Sequence, residues 1–229
     1  MQNLSKRLME IAVLVPRNCR VADIGTDHGY LPIYLAENRL VSNVIACDIG
    51  EKPLAAAKKN IDASGLNNIC TRLSNGFESI TPDEIDAAVI AGIGGEVISG
   101  ILSRCSWLKN SRYTLILQPT TSPEKLREFL SLNSFEVEYE KAVCENGKIY
   151  SVMLARYSGR HILLDPHELY IGNLTPENED NRAYLEKQLK RIQTLANDLK
   201  NVQGKESDHL YYLEVARHIS DIIGGKNGA

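Results

Sequence analysis

The chain has 229 residues, a net charge of −3 and 24% charged side chains. This is enough for one large α/β domain with an appendage, and any nucleic-acid contact must be a local patch, not a global field. Cys19, Cys47, Cys70, Cys105 and Cys144 are odd in number and lack C-x-x-C spacing, so they read as small core residues of a reducing compartment, not as ligands or disulfides; the longest apolar run near the start, Ile11 to Val15, is too short for a signal or membrane segment.

Leu4, Leu8, Ile11 and Ala12 recur at helical spacing and predict a helix over residues 3–14. Lys6 and Arg7 fall on its other face, either solvated or set against a substrate backbone. A strand over Cys19–Ile24 follows, then a turn with Gly25 and Gly29, then a helix over Leu31–Arg39 with Pro32 in its first turn. Strand, tight turn and helix in this order is how an open α/β sheet forms its ligand site. Here Asp23, Gly25, Thr26, Asp27 and Tyr30 would lie under a nucleotide-like ligand. Asp27 stands where a dinucleotide fingerprint has its middle glycine, and a carboxylate there would repel a pyrophosphate. It suits instead a donor carrying an amine, such as S-adenosylmethionine (SAM).

A second strand, Asn43–Cys47, leads to Asp48 and Ile49. Asp48 is near the offset of about 20 residues expected for a carboxylate gripping a ribose diol; the plainer reading is an N-cap for the next helix, Pro53–Ser64, which Gly65 stops. The third strand is Ile69–Leu73, and Asn75 and Gly76 follow it. Asn75 either reads an adenine edge through its amide or occupies a turn that tolerates positive φ.

The fourth strand, Ile85–Ala91, runs into Gly92, Gly94 and Gly95 before a helix over Glu96–Cys105. These glycines either clear room for a target base or seat the helix. The fifth strand, Tyr113–Leu117, leads to Gln118 and Pro119; Gln118 either bonds a substrate or closes the loop. Ser122 is the expected N-cap and Pro123 the first-turn proline of a helix over 123–132. Phe135–Val143 and Lys148–Tyr157 alternate around Asn146-Gly147, a strong hairpin signal. A sheet ending in an antiparallel pair points to a Rossmann-like SAM-dependent methyltransferase fold over residues 1–160. Beyond it, residues 161–229 hold a linker and a coiled-coil-like helical hairpin, with Leu185, Leu189, Ile192, Ala196 and Leu199 on one seam and Tyr212, Ala216, Ile219 and Ile223 on the other. Arg182, Lys187, Lys190 and Arg191 on this hairpin either guide a nucleic-acid backbone or form a solvated face.

Ser5-Lys6-Arg7-Leu8, Ala22-Asp23-Ile24-Gly25-Thr26-Asp27-His28-Gly29-Tyr30-Leu31-Pro32, Ala91-Gly92-Ile93-Gly94-Gly95 and Leu115-Ile116-Leu117-Gln118-Pro119 together resemble the bacterial tRNA (adenine-22-N1)-methyltransferase family, often called TrmK. The resemblance spans about residues 4–157, with an echo at Tyr170-Ile171-Gly172-Asn173-Leu174. The chain departs from the family pattern at Gly29, Ile93 and Thr120, where the family usually has Ala, Met and Asn. The resemblance implies SAM as methyl donor, N1 of a tRNA adenine as acceptor and a helical hairpin at the C-terminus; no metal, a cytoplasmic location and a monomer are expected, with a dimer left open.

Adenine N1 carries a free lone pair, so the chemistry needs alignment of donor and acceptor and stabilisation of the cation formed on the base. The candidate cofactor site is Asp23, Gly25, Thr26, Asp27, Tyr30, Asp48, Ile49, Asn75, Gly76, Ala91 and Gly92. Asp27, His28 and Gln118 are the catalytic candidates: Asp27 accepts from the adenine amine or binds the SAM amine, and His28 positions substrate or caps the turn. Tyr30 stacks on a base or packs on the core. Lys6, Arg7, Gly94, Gly95, Pro119 and the four hairpin cations are the substrate-binding candidates. Two other readings stand beside this one: a non-catalytic SAM-binding scaffold, and an NAD(P) oxidoreductase, against which the missing G-x-G-x-x-G and the terminal hairpin argue.

Overall fold

In the central strands, successive side chains go to opposite faces, and both faces are apolar. Ala22, Ile24, Ala88, Ile90, Leu115 and Leu117 join one core, while Val21, Ala87, Val89 and Ile116 join the other. Strands with two buried faces need helices on both sides, the condition of a largely parallel sheet. The computed structural model, which describes residues 4–225, has that architecture.

The elements in order are α1 (Lys6–Leu14), β1 (Arg20–Ile24), α2 (Tyr30–Glu37), β2 (Asn43–Asp48), α3 (Glu51–Ser64), β3 (Ile69–Leu73), β4 (Ala87–Ile93), α4 (Gly95–Ser103), β5 (Thr114–Pro119), α5 (Pro123–Leu132), β6 (Phe135–Glu145), β7 (Lys148–Tyr157), α6 (Glu168–Ile171), α7 (Glu179–Leu199) and α8 (Glu206–Ile223). The seven-stranded sheet has the order β3-β2-β1-β4-β5-β7-β6. β1 to β5 are parallel and β7 is antiparallel to both β5 and β6. The order reverses between β1 and β4, so a crevice opens at their carboxyl ends.

Most expected elements are present, with shifted ends. The fourth strand continues past Ala91 to Ile93 because its register slips between those two residues, around Gly92 at φ 82°. The fifth strand also continues through Gln118 and Pro119. Ser122 holds the N-cap position of α5, but its backbone is left-handed (φ 49°) and its side chain makes no cap bond. Cys19, Cys47 and Cys105 are buried, and burial pushes their thiols up to about 11, 12 and 12. Cys70 and Cys144 are exposed instead, and they lie in β3 and β6, the two edge strands of the sheet.

The helical hairpin packs on the sheet domain. Tyr184, Leu185, Ile192, Val215, Ala216 and Ile219 form a third core that also takes in Ala142 of β6. Asn181 is buried and caps the backbone N–H of Ala142 at 3.0 Å. The joint is closed by an ion pair that the sequence pattern does not reveal. Arg127 of α5 donates to Glu140 of β6 at 2.5 Å, to the Tyr184 hydroxyl at 3.1 Å and to the Leu169 carbonyl at 2.8 Å. Both side chains are almost fully buried. Burial opposes the charge on Arg127, but Glu140 and Tyr184 outweigh it and hold the guanidinium above its usual value. Gly172, at φ 59°, belongs to the same joint: a Cβ there would meet Glu140 Oε2 at 1.8 Å.

Among the described residues no helix is long and apolar enough to cross a membrane, and no group of three or more His, Cys, Asp or Glu is placed to hold a metal ion.

Candidate active site

The turn after β1 bends over the end of β2: the N–H groups of Gly25 and Thr26 both donate to the Cys47 carbonyl, at 2.9 and 2.8 Å. The bend needs Gly25 at φ 82°, and a Cβ there would meet nothing within 4 Å. That open space is the junction of a cleft of two lobes, of about 460 and 440 Å³, which share Gly25, Asp48 and Ile93.

The first lobe is walled by Arg7, Asp23, Thr26, Asp27, His28 and Tyr30, with Ala91 and Gly92 on the β4 side. Asp23 is buried with no cation beside it among the described residues, and burial pushes its carboxyl up to about 6, with a smaller lowering contribution from a Thr26 hydrogen bond and a raising one from Asp48. The Thr26 hydroxyl oxygen is itself buried and has no partner at hydrogen-bond geometry among the described residues. Asp27 is bent outward by a left-handed backbone (φ 49°) and its side chain is 71% exposed. His28 stands 3.7 Å from it and stacks on Tyr30, ring centroids 5.3 Å apart at 22°.

The second lobe is apolar on its broad sides. Ile49 is 69% exposed and Val97 56% exposed, large aliphatic groups left facing open space across the lobe, with Ile93 and Ile101 behind. Asp48, Asn75 and Gly76 supply its polar rim. Asp48 accepts from the Gly50 N–H at 2.8 Å through one oxygen, which leaves the other for a ligand. Gly76 (φ 64°) lets α4 press close, since a Cβ would meet Ile101 at 2.7 Å.

The remaining candidates sit around the cleft in different ways. Gln118 is fully buried beneath it. Its carbonyl accepts from Arg7 at 2.5 Å and from the Gly92 N–H at 3.1 Å, while its amide donates to the Pro119 carbonyl. Gln118 thus holds Arg7 and Gly92 from below, and neither it nor Pro119 lines either lobe. Arg7 is further fixed by Glu145, 3.6 Å away, and by the Tyr150 ring. Gly94 and Gly95 face the Thr121–Ser122 loop: a Cβ on Gly95 would lie 2.3 Å from the Ser122 carbonyl, and one on Gly94 2.9 Å from Thr121 Oγ1. Loop seating, not room for a base, accounts for them. Lys6 is paired with Asp180 at 2.7 Å and Arg191 with Glu124 at 2.6 Å, so both tie the hairpin to the sheet domain. Arg182, Lys187 and Lys190 are exposed and unpaired among the described residues.

Sequence reasoning missed Ile93, Val97, Ile101 and Arg104 of the second lobe. Val97 and Ile101 fall at helical spacing on α4 and read as ordinary core packing, Ile93 is the end of β4, and nothing in the pattern shows that Val97 stays uncovered or that Arg104, past the end of α4, turns to the lobe.

The site can be set beside known proteins. A family model described as "Methyltransferase domain" matches residues 4–153. The tRNA (adenine(22)-N(1))-methyltransferase of Bacillus subtilis is 36% identical over 194 residues, covering 83% of this chain and 82% of that protein. The chain belongs to the tRNA (adenine(22)-N(1))-methyltransferase family. The crystal structure of the B. subtilis M1A22 tRNA methyltransferase TrmK superposes with a TM-score of 0.81 at 30% identity, covering 98% of this chain and 99% of that one. The M. capricolum TrmK in complex with S-adenosyl-homocysteine superposes with a TM-score of 0.78 at 29% identity, covering 97% and 99%. Both structures match this chain over almost its whole length, so the likeness extends through the helical hairpin.

The residues present fit an adenosyl sulfonium donor. The buried Thr26 hydroxyl and the Asp23 carboxyl, which has no cation beside it among the described residues, suit an amino-acid headgroup, and the aliphatic faces of Ile49 and Val97 suit a purine.

Proposed function

We infer that this protein methylates N1 of an adenine in tRNA, position 22 by its kinship with the B. subtilis enzyme, with SAM as donor. The observation that carries the reading is the two-lobed cleft at the sheet's switch point: a buried carboxyl serves one end and an apolar slot with a carboxylate rim serves the other. The scaffold and oxidoreductase readings give no reason for an exposed carboxylate and a stacked His–Tyr pair at the mouth of that cleft.

When bound, SAM supplies a methyl group on a sulfonium, electrophilic enough for a neutral nitrogen to attack. Asp23 and Thr26 hold the amino-acid end, and Asp48 accepts from the ribose. Asp27, outside the buried layer, accepts a hydrogen bond from the exocyclic amine of the target adenine and favours the positive charge that develops there. No residue needs to remove a proton from N1 before the transfer. The His28–Tyr30 stack offers the extruded base a ring to rest on, since N1 lies on the pairing edge and the base must leave its helix. Gln118 acts through Arg7 and Gly92 as a positioning residue.

Arg182, Lys187 and Lys190 give the hairpin a cationic face for tRNA phosphates, and the chain divides near residue 160 into a catalytic unit and this hairpin unit. Acting on tRNA places this reading in the cytoplasm, and a monomer is expected, with a dimer left open. Transfer of labelled methyl from SAM to unmodified tRNA, followed by mapping of the product, tests the function. The expected result is one 1-methyladenine at position 22. A folded protein that binds SAM but labels no tRNA would favour the scaffold.

A further inference from the structure

The polar rim of the second lobe contains a feature outside the catalytic residues. Asn75 lies between two charges of opposite sign. Its amide nitrogen donates to Glu78 Oε1 at 2.8 Å, and its carbonyl oxygen accepts from the Arg104 guanidinium at 3.3 Å. Arg104 and Glu78 also face each other, 3.9 Å apart. Arg104 comes from the far end of α4 and lines the lobe beside Asn75. The backbone below is fixed too: the buried Ser74 hydroxyl donates to the Gly76 carbonyl at 2.9 Å and accepts from the Ser79 N–H at 3.0 Å.

A side-chain amide has two faces of nearly equal shape, and it can turn over to exchange donor for acceptor. Here the turn is blocked by chemistry. A carboxylate only accepts and a guanidinium only donates. Glu78 must take the NH2 group and Arg104 must take the oxygen. The oxygen, on the Arg104 side that lines the lobe, keeps one lone pair. An adenine 6-amine donates to that lone pair, whereas the 6-oxygen of hypoxanthine needs the amide turned over.

We propose that Glu78 and Arg104 are specificity-determining residues that lock the Asn75 amide in the orientation selecting an adenine-bearing donor. The proposal rests on the reading of this lobe as the adenosyl site. It makes Glu78 and Arg104 positioning residues, since each acts through Asn75.

Calorimetry with S-adenosylhomocysteine and with its S-inosyl analogue tests it. The wild-type protein should bind the adenosyl compound at least about tenfold more tightly, the scale of one well-placed hydrogen-bond pair. The charge exchange E78R/R104E keeps an ion pair across the same gap but reverses which neighbour accepts and which donates. It should turn the amide over and reverse the preference toward the inosyl compound. Asn75→Ala should bind both about equally. A folded E78R/R104E protein that keeps the adenosyl preference overturns the lock, as does Asn75→Ala with full discrimination. Thermal unfolding of each variant confirms that the comparison is made on folded protein. If the wild-type protein binds neither compound, the adenosyl reading of the lobe fails, and this proposal falls with it; loss of the reversal alone overturns only the lock.

Discussion

Two carboxyl groups in this molecule are buried to a similar degree and do opposite things. Glu140, at the joint between sheet and hairpin, meets Arg127 at 2.5 Å, and the guanidinium's other hydrogens reach Tyr184 and Leu169. Asp23, at the floor of the cleft, meets no cation among the described residues, and its carboxyl is raised to about 6. A buried charge with all its partners supplied by the chain is a fixed joint. A buried charge with partners missing is costly unless something else supplies them. That asymmetry separates the part of the protein that holds shape from the part that awaits a ligand.

The contrast is broken most severely at the joint. Glu140→Gln leaves the Arg127 charge buried without its counter-ion and should cost about 3–5 kcal/mol, read as a fall in unfolding free energy. The folded fraction should still bind S-adenosylhomocysteine with unchanged affinity. Asp27→Ala goes the other way: stability should hold, because the side chain is exposed. Methyl transfer should fall by about a hundredfold, the scale of removing one transition-state hydrogen bond.

Asp23→Asn sharpens the comparison. It removes an unpaired charge, so stability near pH 8 should stay level or rise. Donor affinity should weaken by ten- to a hundredfold, the scale of about 1.5–3 kcal/mol for a hydrogen bond to a charged group. The wild-type pH profile carries the same information. The folded carboxyl is raised from 3.8 to about 6, so the ligand-free fold gains stability from this group as pH drops through about 6 toward 4. Donor binding requires the ionised form and has the opposite sign: affinity should weaken below about pH 6, by up to about tenfold per unit, and Asp23→Asn should flatten that slope.

The smallest effect belongs to the hairpin's cationic face. Replacing Arg182, Lys187 and Lys190 together with alanine should weaken tRNA binding and lower the salt-dependence slope by about 0.9 for each phosphate no longer neutralised. KM for tRNA should rise while the affinity for S-adenosylhomocysteine stays constant.

The parts legible in the sequence are those with a local cause. Gly25 and Gly29 mark the turn, apolar alternation marks the strands, and Asn146-Gly147 marks the hairpin, because each depends on backbone preference over a few residues. Asp23, Asp48 and Asn75 could be placed at the cleft because strand ends fix where side chains can reach. The illegible parts depend on distant pairs. Arg127 and Glu140 are thirteen residues apart, but their meeting also requires Tyr184, fifty-seven residues from Arg127. Gly95 reads as space for a base in the sequence, yet the Ser122 carbonyl presses on it in the fold. Gln118 and Lys6 carry polar groups suited to a substrate, and the structure engages them with Arg7, Gly92 and Asp180.

The central claim is that the cleft beside the first strand's end holds the donor, its amino-acid end over Asp23 and its purine between Ile49 and Val97. A crystal structure of the S-adenosylhomocysteine complex tests it most directly. The account predicts the amine within hydrogen-bond reach of Asp23, the ribose on Asp48 and the purine edge on Asn75. Density for the ligand anywhere else, or with its purine over the Asp23 lobe, would contradict it.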